Sequence, residues 1–168
     1  MEPAKGLADH VEKWMSWVPA VGTYRDRERR REIDKKIREH VAEQLQNVRG
    51  HLKRAMLDFS RNGKADHLVE LDHLSAQIQQ ISDTIRYASY GYGGIFDLDK
   101  IREEEIQRLC SFDLSLKEEA EKLQGKAEEI TLALSADELR EKIREAGAVV
   151  IKMQEKYQTR KDFMGRKA

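Results

Sequence analysis

The chain contains no proline between Ala20 and Ala168, and its two prolines, Pro3 and Pro19, both lie near the amino terminus. Average usage would place about seven prolines in a stretch of this length. Because proline interrupts helices and is common in the turns of sheet proteins, its absence favours long helices and argues against a many-stranded sandwich. The spacing of the apolar residues must then agree with a helical fold.

Apolar residues recur every three or four positions in four segments of the chain. We therefore predict an all-α fold, an up-down bundle of four long amphipathic helices over 24–61, 65–90, 98–134 and 136–164. The stripe of the first helix consists of Ile33, Ile37, Val41, Leu45, Val48, Leu52, Met56 and Phe59. The second helix has a heptad seam, as in a coiled coil, made of Leu71, Leu74, Ile78, Ile81 and Ile85.

Local signals mark the ends of these helices. Asn62-Gly63 predicts a turn after the first helix, and three glycines within 90–94 predict the end of the second. Asp97 is the expected N-cap of the third helix, in which Gly125 is a candidate break. Ser135-Ala-Asp-Glu138 has the Ser-x-x-Glu form of a capping box, so a new helix is expected to start there.

Residues 1–23 form a segment of different character, which we predict to be a short amphipathic helix followed by a linker. Leu7, Val11, Trp14 and Val18 would share one face of it, with Trp17 nearby. We expect this segment to fold back on the bundle or to dock on a second chain. Insertion into a membrane interface is the alternative, although its flanks lack a consistently basic face. Residues 165–168 are expected to fray.

One end of the predicted bundle combines aromatic rings with positive charge. An up-down bundle brings together the start of the first helix, the second connection and the end of the fourth helix. Residues 24–40 have a net charge of +3 and residues 152–168 of +4, whereas residues 97–130 have −5. All eleven aromatic residues except Phe59 and Phe112 are expected at this end. The predicted partner-binding residues are Trp14, Trp17, Tyr24, Arg25, Arg27, Tyr90 and Tyr92.

The expected partner is another protein or a second copy of the chain, and an anionic membrane surface is the alternative. A purely structural reading is also open, in which the rings only close the end of the bundle. The 31 basic and 31 acidic residues give no net charge, which argues against nucleic acid. A single cysteine, Cys110, and the absence of a long apolar run or signal-peptide core predict a cytoplasmic protein.

Templates for metal and catalytic sites are poorly matched. A di-iron bundle needs two Glu-x-x-His pairs, and only Glu70 and His73 form one, since all five histidines precede the third helix. His51 and Asp113 would lie nearly level, either as metal ligands or as a hydrogen-bonded pair. Cys110 has no histidine on its own helix to activate it. We predict a non-enzymatic interaction or scaffold module without a cofactor, with a metal-binding bundle as an alternative.

Two segments of the sequence resemble motifs of a known family. Residues 18–34 begin Val-Pro-Ala-Val-Gly-Thr-Tyr-Arg, and residues 85–97 contain Tyr-Gly-Tyr-Gly-Gly-Ile-Phe-Asp. Both are similar to motifs of an uncharacterised bacterial all-helical family. The resemblance covers less than a fifth of the chain. It implies a helical bundle in the bacterial cytoplasm and brings no activity and no catalytic residues with it.

Overall fold

A computed structural model describes residues 27–88 and 103–165 of the chain. These residues form four helices, α1 (Arg27–Arg61), α2 (Leu68–Arg86), α3 (Glu103–Glu128) and α4 (Ala136–Gly165). Within the two described ranges no strand is present. The predicted all-α helical bundle is thereby confirmed. The predicted amino-terminal segment, the Asp97 cap and the glycines at 91, 93 and 94 lie outside the described residues.

The helices are arranged as two antiparallel hairpins, α1 with α2 and α3 with α4. The hairpins pack so that α1 contacts α3 and α2 contacts α4. Both hairpin turns lie at the same end of the bundle. A hydrogen bond shows this, in which the Lys64 ammonium of the first turn donates to the carbonyl of Leu132 in the second at 2.7 Å. We call this the turn end. The opposite end, formed by residues 35–38, 85–88, 108–113 and 160–163, is called the open end.

The predicted apolar stripes form the core of the bundle. The buried members are Ile37, Val41, Leu45, Val48, Leu52 and Phe59 in α1, and Leu71, Leu74, Ile78, Ile81 and Ile85 in α2. From α3 and α4 they include Leu116, Leu123, Leu139, Val150 and Met153. Burial of each large aliphatic side chain contributes about 1.5–3 kcal/mol. The stripes meet along the bundle axis in one continuous core cluster.

A row of polar side chains aligns α1 with α2 beside this core. The buried Ser82 hydroxyl donates to the carbonyl of Ala42 at 3.3 Å and accepts a hydrogen bond from Gln46 at 3.0 Å. Two turns along, the Arg49 guanidinium donates to the carbonyl of Ser75 at 3.2 Å. Because each of these groups is partly or fully buried, sliding one helix along the other would leave polar atoms without partners.

The predicted third helix differs from the structure at its carboxyl end. The third helix was predicted to run to 134, but α3 ends at Glu128 without a break at Gly125. Ile130 is still buried and Leu134 still packs against the core, so the apolar spacing continues beyond the helix. Exposed Gly125 weakens a helix without ending it, since glycine lowers helix propensity by only about 1 kcal/mol.

The second helix is shorter than the predicted 65–90 because both of its ends are turns. It begins at Leu68, after a turn at 66–67, and ends at Arg86. At its carboxyl end, Arg38 donates from Nη1 to the carbonyls of Ala88 at 3.0 Å and Ile85 at 3.5 Å. At the end of a helix the last carbonyls have no N–H group of the same helix to bind, and the Arg38 guanidinium supplies the missing donors.

Two of the local signals are confirmed. The Ser135 amide donates to the Glu138 carboxylate at 2.8 Å, and the Glu138 amide donates to the Ser135 hydroxyl at 3.4 Å, which is the reciprocal pattern of a capping box. Gly63 has a φ of +69°, and the Lys64 amide donates to the carbonyl of Phe59 at 2.9 Å. Positive φ strains most other residues, so glycine suits this turn.

Candidate functional site

A buried arginine of α1, Arg38, lies in the interior of the open end. Arg38 is 6% exposed, and its guanidinium reaches the last turn of α2 through the two carbonyl hydrogen bonds. The side chain joins the first part of α1 to the point at which the chain leaves α2. Arg86 and Tyr87, which lie between the two bonded carbonyls, are consequently held at the surface of this end.

Tyr87 is the most exposed large apolar or aromatic side chain among the described residues. It is 73% exposed, and Arg86 beside it is also exposed. Its amide donates to the carbonyl of Asp83 at 2.9 Å, so the backbone at this position is anchored although the ring is not packed. A tyrosine ring held in water on an anchored backbone is available for contact with another molecule.

A second aromatic group lies at the open end, between α3 and α4. The rings of Phe112 and Phe163 have centroids 5.9 Å apart and are tilted by 52°. The guanidinium of the exposed Arg108 lies over Phe163, 5.5 Å from its centroid, at a distance typical of a cation–π contact. The expectation that Phe112 lies away from this end was wrong, because the height of residue 112 depends on how far α3 extends beside α4.

A buried ion pair lies below these rings. The Arg160 guanidinium donates from Nε to Oδ1 of Asp113 at 2.6 Å, and the two residues are 3% and 2% exposed. Neither a hydrogen bond nor an ion pair joins Asp113 to His51, both of which are described. The predicted hydrogen bond between these two residues is therefore not formed, and the carboxylate of Asp113 pairs with Arg160 instead.

The Glu70 carboxylate contacts the side chains of His67 and Arg140. Its Oε2 lies 2.6 Å from Nδ1 of the buried His67, and its Oε1 lies 3.9 Å from Nε of Arg140. His73 is exposed. In the part of the chain that the structure describes, no three His, Cys, Asp or Glu side chains are grouped so that they hold a metal ion.

The predicted partner-binding residues lie mostly outside the described ranges. This applies to Trp14, Trp17, Tyr24, Arg25, Tyr90 and Tyr92, and Arg27 is the first residue of α1 with its side chain likewise outside. Arg86, Tyr87, Arg108 and Phe163 are the open-end residues that the structure adds to this set. Sequence reasoning had placed Tyr87 and Phe163 at this end but had not selected them for binding.

A second group of charged side chains lies between α3 and α4, and sequence reasoning missed it. The Glu119 carboxylate is 1% exposed, and its Oε1 lies 2.8 Å from Lys156, 3.1 Å from Lys122 and 3.2 Å from Lys152. We call these four residues the Glu119 cluster. Burial alone would raise the pKa of Glu119, but hydrogen bonds from Lys156, Lys122 and Lys152 outweigh it and lower the pKa from 4.5 to about 2.

A third group, nearer the turn end, has equal numbers of acids and bases. Lys126 lies 2.8 Å from Glu145 and 3.5 Å from Glu129, while Lys142 lies 2.5 Å from Glu129 and 3.4 Å from Glu145. These contacts raise the pKa of both lysines and lower the pKa of both glutamates. The group is electrically neutral, in contrast to the Glu119 cluster.

Comparisons with known proteins add no relative to this description. No family model matches the chain, and no curated protein or solved structure matches it. Within the described ranges, none of the four helices has the length and apolar character needed to cross a membrane. A function is therefore inferred from the side chains themselves.

Proposed function

We propose that this chain is a non-enzymatic helical-bundle module that binds a protein partner through its open end. The observation that supports this most directly is Tyr87, a residue that is 73% exposed beside the exposed Arg86. Tyrosine and arginine are enriched at the energetic centres of protein interfaces, because each provides a large contact area together with hydrogen-bonding groups. An exposed ring beside an arginine is typical of a surface that binds a partner.

The charge of this end favours an acidic partner surface. Residues 24–40 and 152–168, which include the start of α1 and the end of α4, have net charges of +3 and +4. Complementary charge accelerates association and orients the partner. The partner is either a different protein or a second copy of this chain, whose residues 97–130 have a net charge of −5.

The residues predicted from the sequence extend the proposed surface. Tyr90 and Tyr92 follow Ala88 in the chain, and Ala88 is the residue whose carbonyl Arg38 binds. The remaining members, Trp14, Trp17, Tyr24, Arg25 and Arg27, precede α1 or begin it. We propose that they add rings and guanidinium groups to the same surface. We also place the module in the bacterial cytoplasm, a reducing compartment that suits its single cysteine.

Site-specific photo-crosslinking in cells tests this proposal. A photoreactive phenylalanine analogue replaces Tyr87 in one variant and the exposed Val69 in the matched control. Val69 is 65% exposed and lies at the first turn of α2, so both positions are accessible but only the first is at the open end. We expect a discrete crosslinked protein from position 87 that is absent or much weaker at position 69.

The identity of the adduct then separates the two kinds of partner. A product of twice the chain mass that contains only this sequence identifies self-association, and a second protein sequence identifies a different partner. In either case, Tyr90→Ala with Tyr92→Ala should weaken the crosslink without lowering the melting temperature. Equal labelling from positions 87 and 69 would overturn the proposal.

The anionic membrane surface is tested separately with the two tryptophans. Trp14 and Trp17 are the only tryptophans in the chain, so intrinsic fluorescence reports on the amino-terminal segment alone. A blue-shifted emission maximum that anionic vesicles leave unchanged is expected if the segment binds protein. A water-like maximum that shifts to the blue when vesicles are added would instead support attachment to lipid.

A further inference from the structure

Three ammonium groups meet at a single carboxylate oxygen in the Glu119 cluster. Lys122 comes from α3, and Lys152 and Lys156 come from α4, one turn apart. Because all three nitrogens are within hydrogen-bond or ion-pair distance of the same Oε1, they are also close to one another. One negative charge opposes three positive charges, which leaves a local surplus of two.

This surplus is specific to one part of the α3–α4 surface. The neutral group of Lys126, Lys142, Glu129 and Glu145 shows how the same two helices balance their charges elsewhere. Glu155 lies between Lys152 and Lys156 in sequence, but it is exposed and forms no ion pair with either lysine among the described residues. The repulsion between the ammonium groups is therefore only partly relieved within the chain.

The lysines are also oriented in a way that leaves hydrogen-bond donors for a ligand. Each ammonium group has three N–H donors, of which Glu119 occupies one. The Lys122 and Lys152 side chains are 56% and 55% exposed, and that of Lys156 is 27% exposed. Their outer N–H groups therefore face water. Since Glu119 already restrains the three side chains, a ligand loses less entropy when it binds them.

We propose that the Glu119 cluster binds a phosphate group, either as inorganic phosphate or as a small phosphate monoester. Such a group has nearly two negative charges at neutral pH, which matches the surplus, and its oxygens accept several charge-assisted hydrogen bonds. The binding site is formed by Lys122, Lys152 and Lys156, and Glu119 is a positioning residue that holds them together. The site includes neither Arg86 nor Tyr87, although Lys152 and Lys156 also contribute to the +4 charge of residues 152–168.

Nuclear magnetic resonance titration of the full chain tests this proposal, with inorganic phosphate and glycerol phosphate as probes. Sodium chloride of equal ionic strength provides the reference, because exposed charges are screened by salt. We expect saturating shifts of the signals from residues 119, 122, 152 and 156, with a Kd on the order of 1 mM. A similar Kd for both probes indicates that the phosphate group alone is recognised, and tighter binding of glycerol phosphate indicates a monoester.

Matched lysine variants distinguish a site from general charge attraction. Lys152→Gln and Lys122→Gln each remove one charge from an exposed position and should weaken phosphate binding about tenfold, the effect of losing one charge-assisted hydrogen bond. Lys142→Gln removes the same charge from the neutral group on α4 and should leave the Kd unchanged. Helical circular dichroism verifies that each variant is folded. Shifts that do not saturate, or equal losses in Lys142→Gln and Lys152→Gln, would overturn the proposal.

Discussion

Glu119→Gln removes the carboxylate of the Glu119 cluster and leaves the shape of the side chain almost unchanged. In the folded chain the pKa of Glu119 is lowered from 4.5 to about 2. At about 1.4 kcal/mol for each pH unit of pKa difference, this corresponds to about 3 kcal/mol of stability at neutral pH. Two of the three lysines are more than half exposed, so screening by water reduces the expected loss to about 2 kcal/mol.

The same loss must depend on pH in a defined direction. A folded-state pKa below the unfolded value stabilises the fold above pH 4.5, and this contribution disappears as the pH falls toward 2. Protonated Glu119 and glutamine are both neutral, so the two proteins should become equally stable in acid. The difference in unfolding free energy between wild type and Glu119→Gln should therefore shrink steadily as the solution is acidified.

Urea unfolding followed by helical circular dichroism, at about pH 7 and about pH 3, measures this difference. Glu155→Gln is the matched control, because Glu155 is exposed on α4 and its change should stay within about 0.5 kcal/mol. The reasoning is refuted if Glu119→Gln costs as much at about pH 3 as at about pH 7. It is also refuted if Glu119→Gln costs no more than the control at neutral pH.

Three further substitutions are expected to lower stability in the same urea assay. Asp113→Leu should cost about 3–5 kcal/mol because it removes a carboxylate from the buried Arg160 guanidinium. Adding Arg160→Met should recover part of the lost stability, and a loss below about 1 kcal/mol in Asp113→Leu would contradict this reasoning. Ser135→Ala should cost about 1 kcal/mol because the hydroxyl that caps the helix is lost, while Ser135→Thr keeps a hydroxyl and should retain most of the stability. Gly63→Ala should cost about 1 kcal/mol because of its positive φ, and equal stability of the variant would show that the turn adapts.

The open end was partly predictable from the sequence. The order of the helices indicated which segments meet there, and composition indicated that these segments are basic and rich in aromatic residues. The exposure of Tyr87 agrees with the helical pattern, because position 87 lies about 200° around the helix from the buried Ile85. The end of α2 at Arg86, and not at 90, was not predictable. That ending involves Arg38, which lies 47 residues before Ile85 in the chain.

By itself, the sequence determined that this protein folds into four helices and approximately where they begin and end. The signals responsible are local: apolar residues repeat every three or four positions, and the hydrogen bonds of the Ser135 cap join residues three apart. Each of them can be recognised without knowing what lies beside the helix.

Only the tertiary structure decided which charged side chains meet. Asp113 pairs with Arg160 and not with His51, and Glu119 is surrounded by lysines from two helices. These pairings depend on the rotation of each helix about its axis and on its height beside its neighbour. Both are set by how the apolar stripes of all four helices pack together. Successive side chains are 100° apart around a helix, so an error of one residue in its phase turns a side chain from one neighbouring helix toward another.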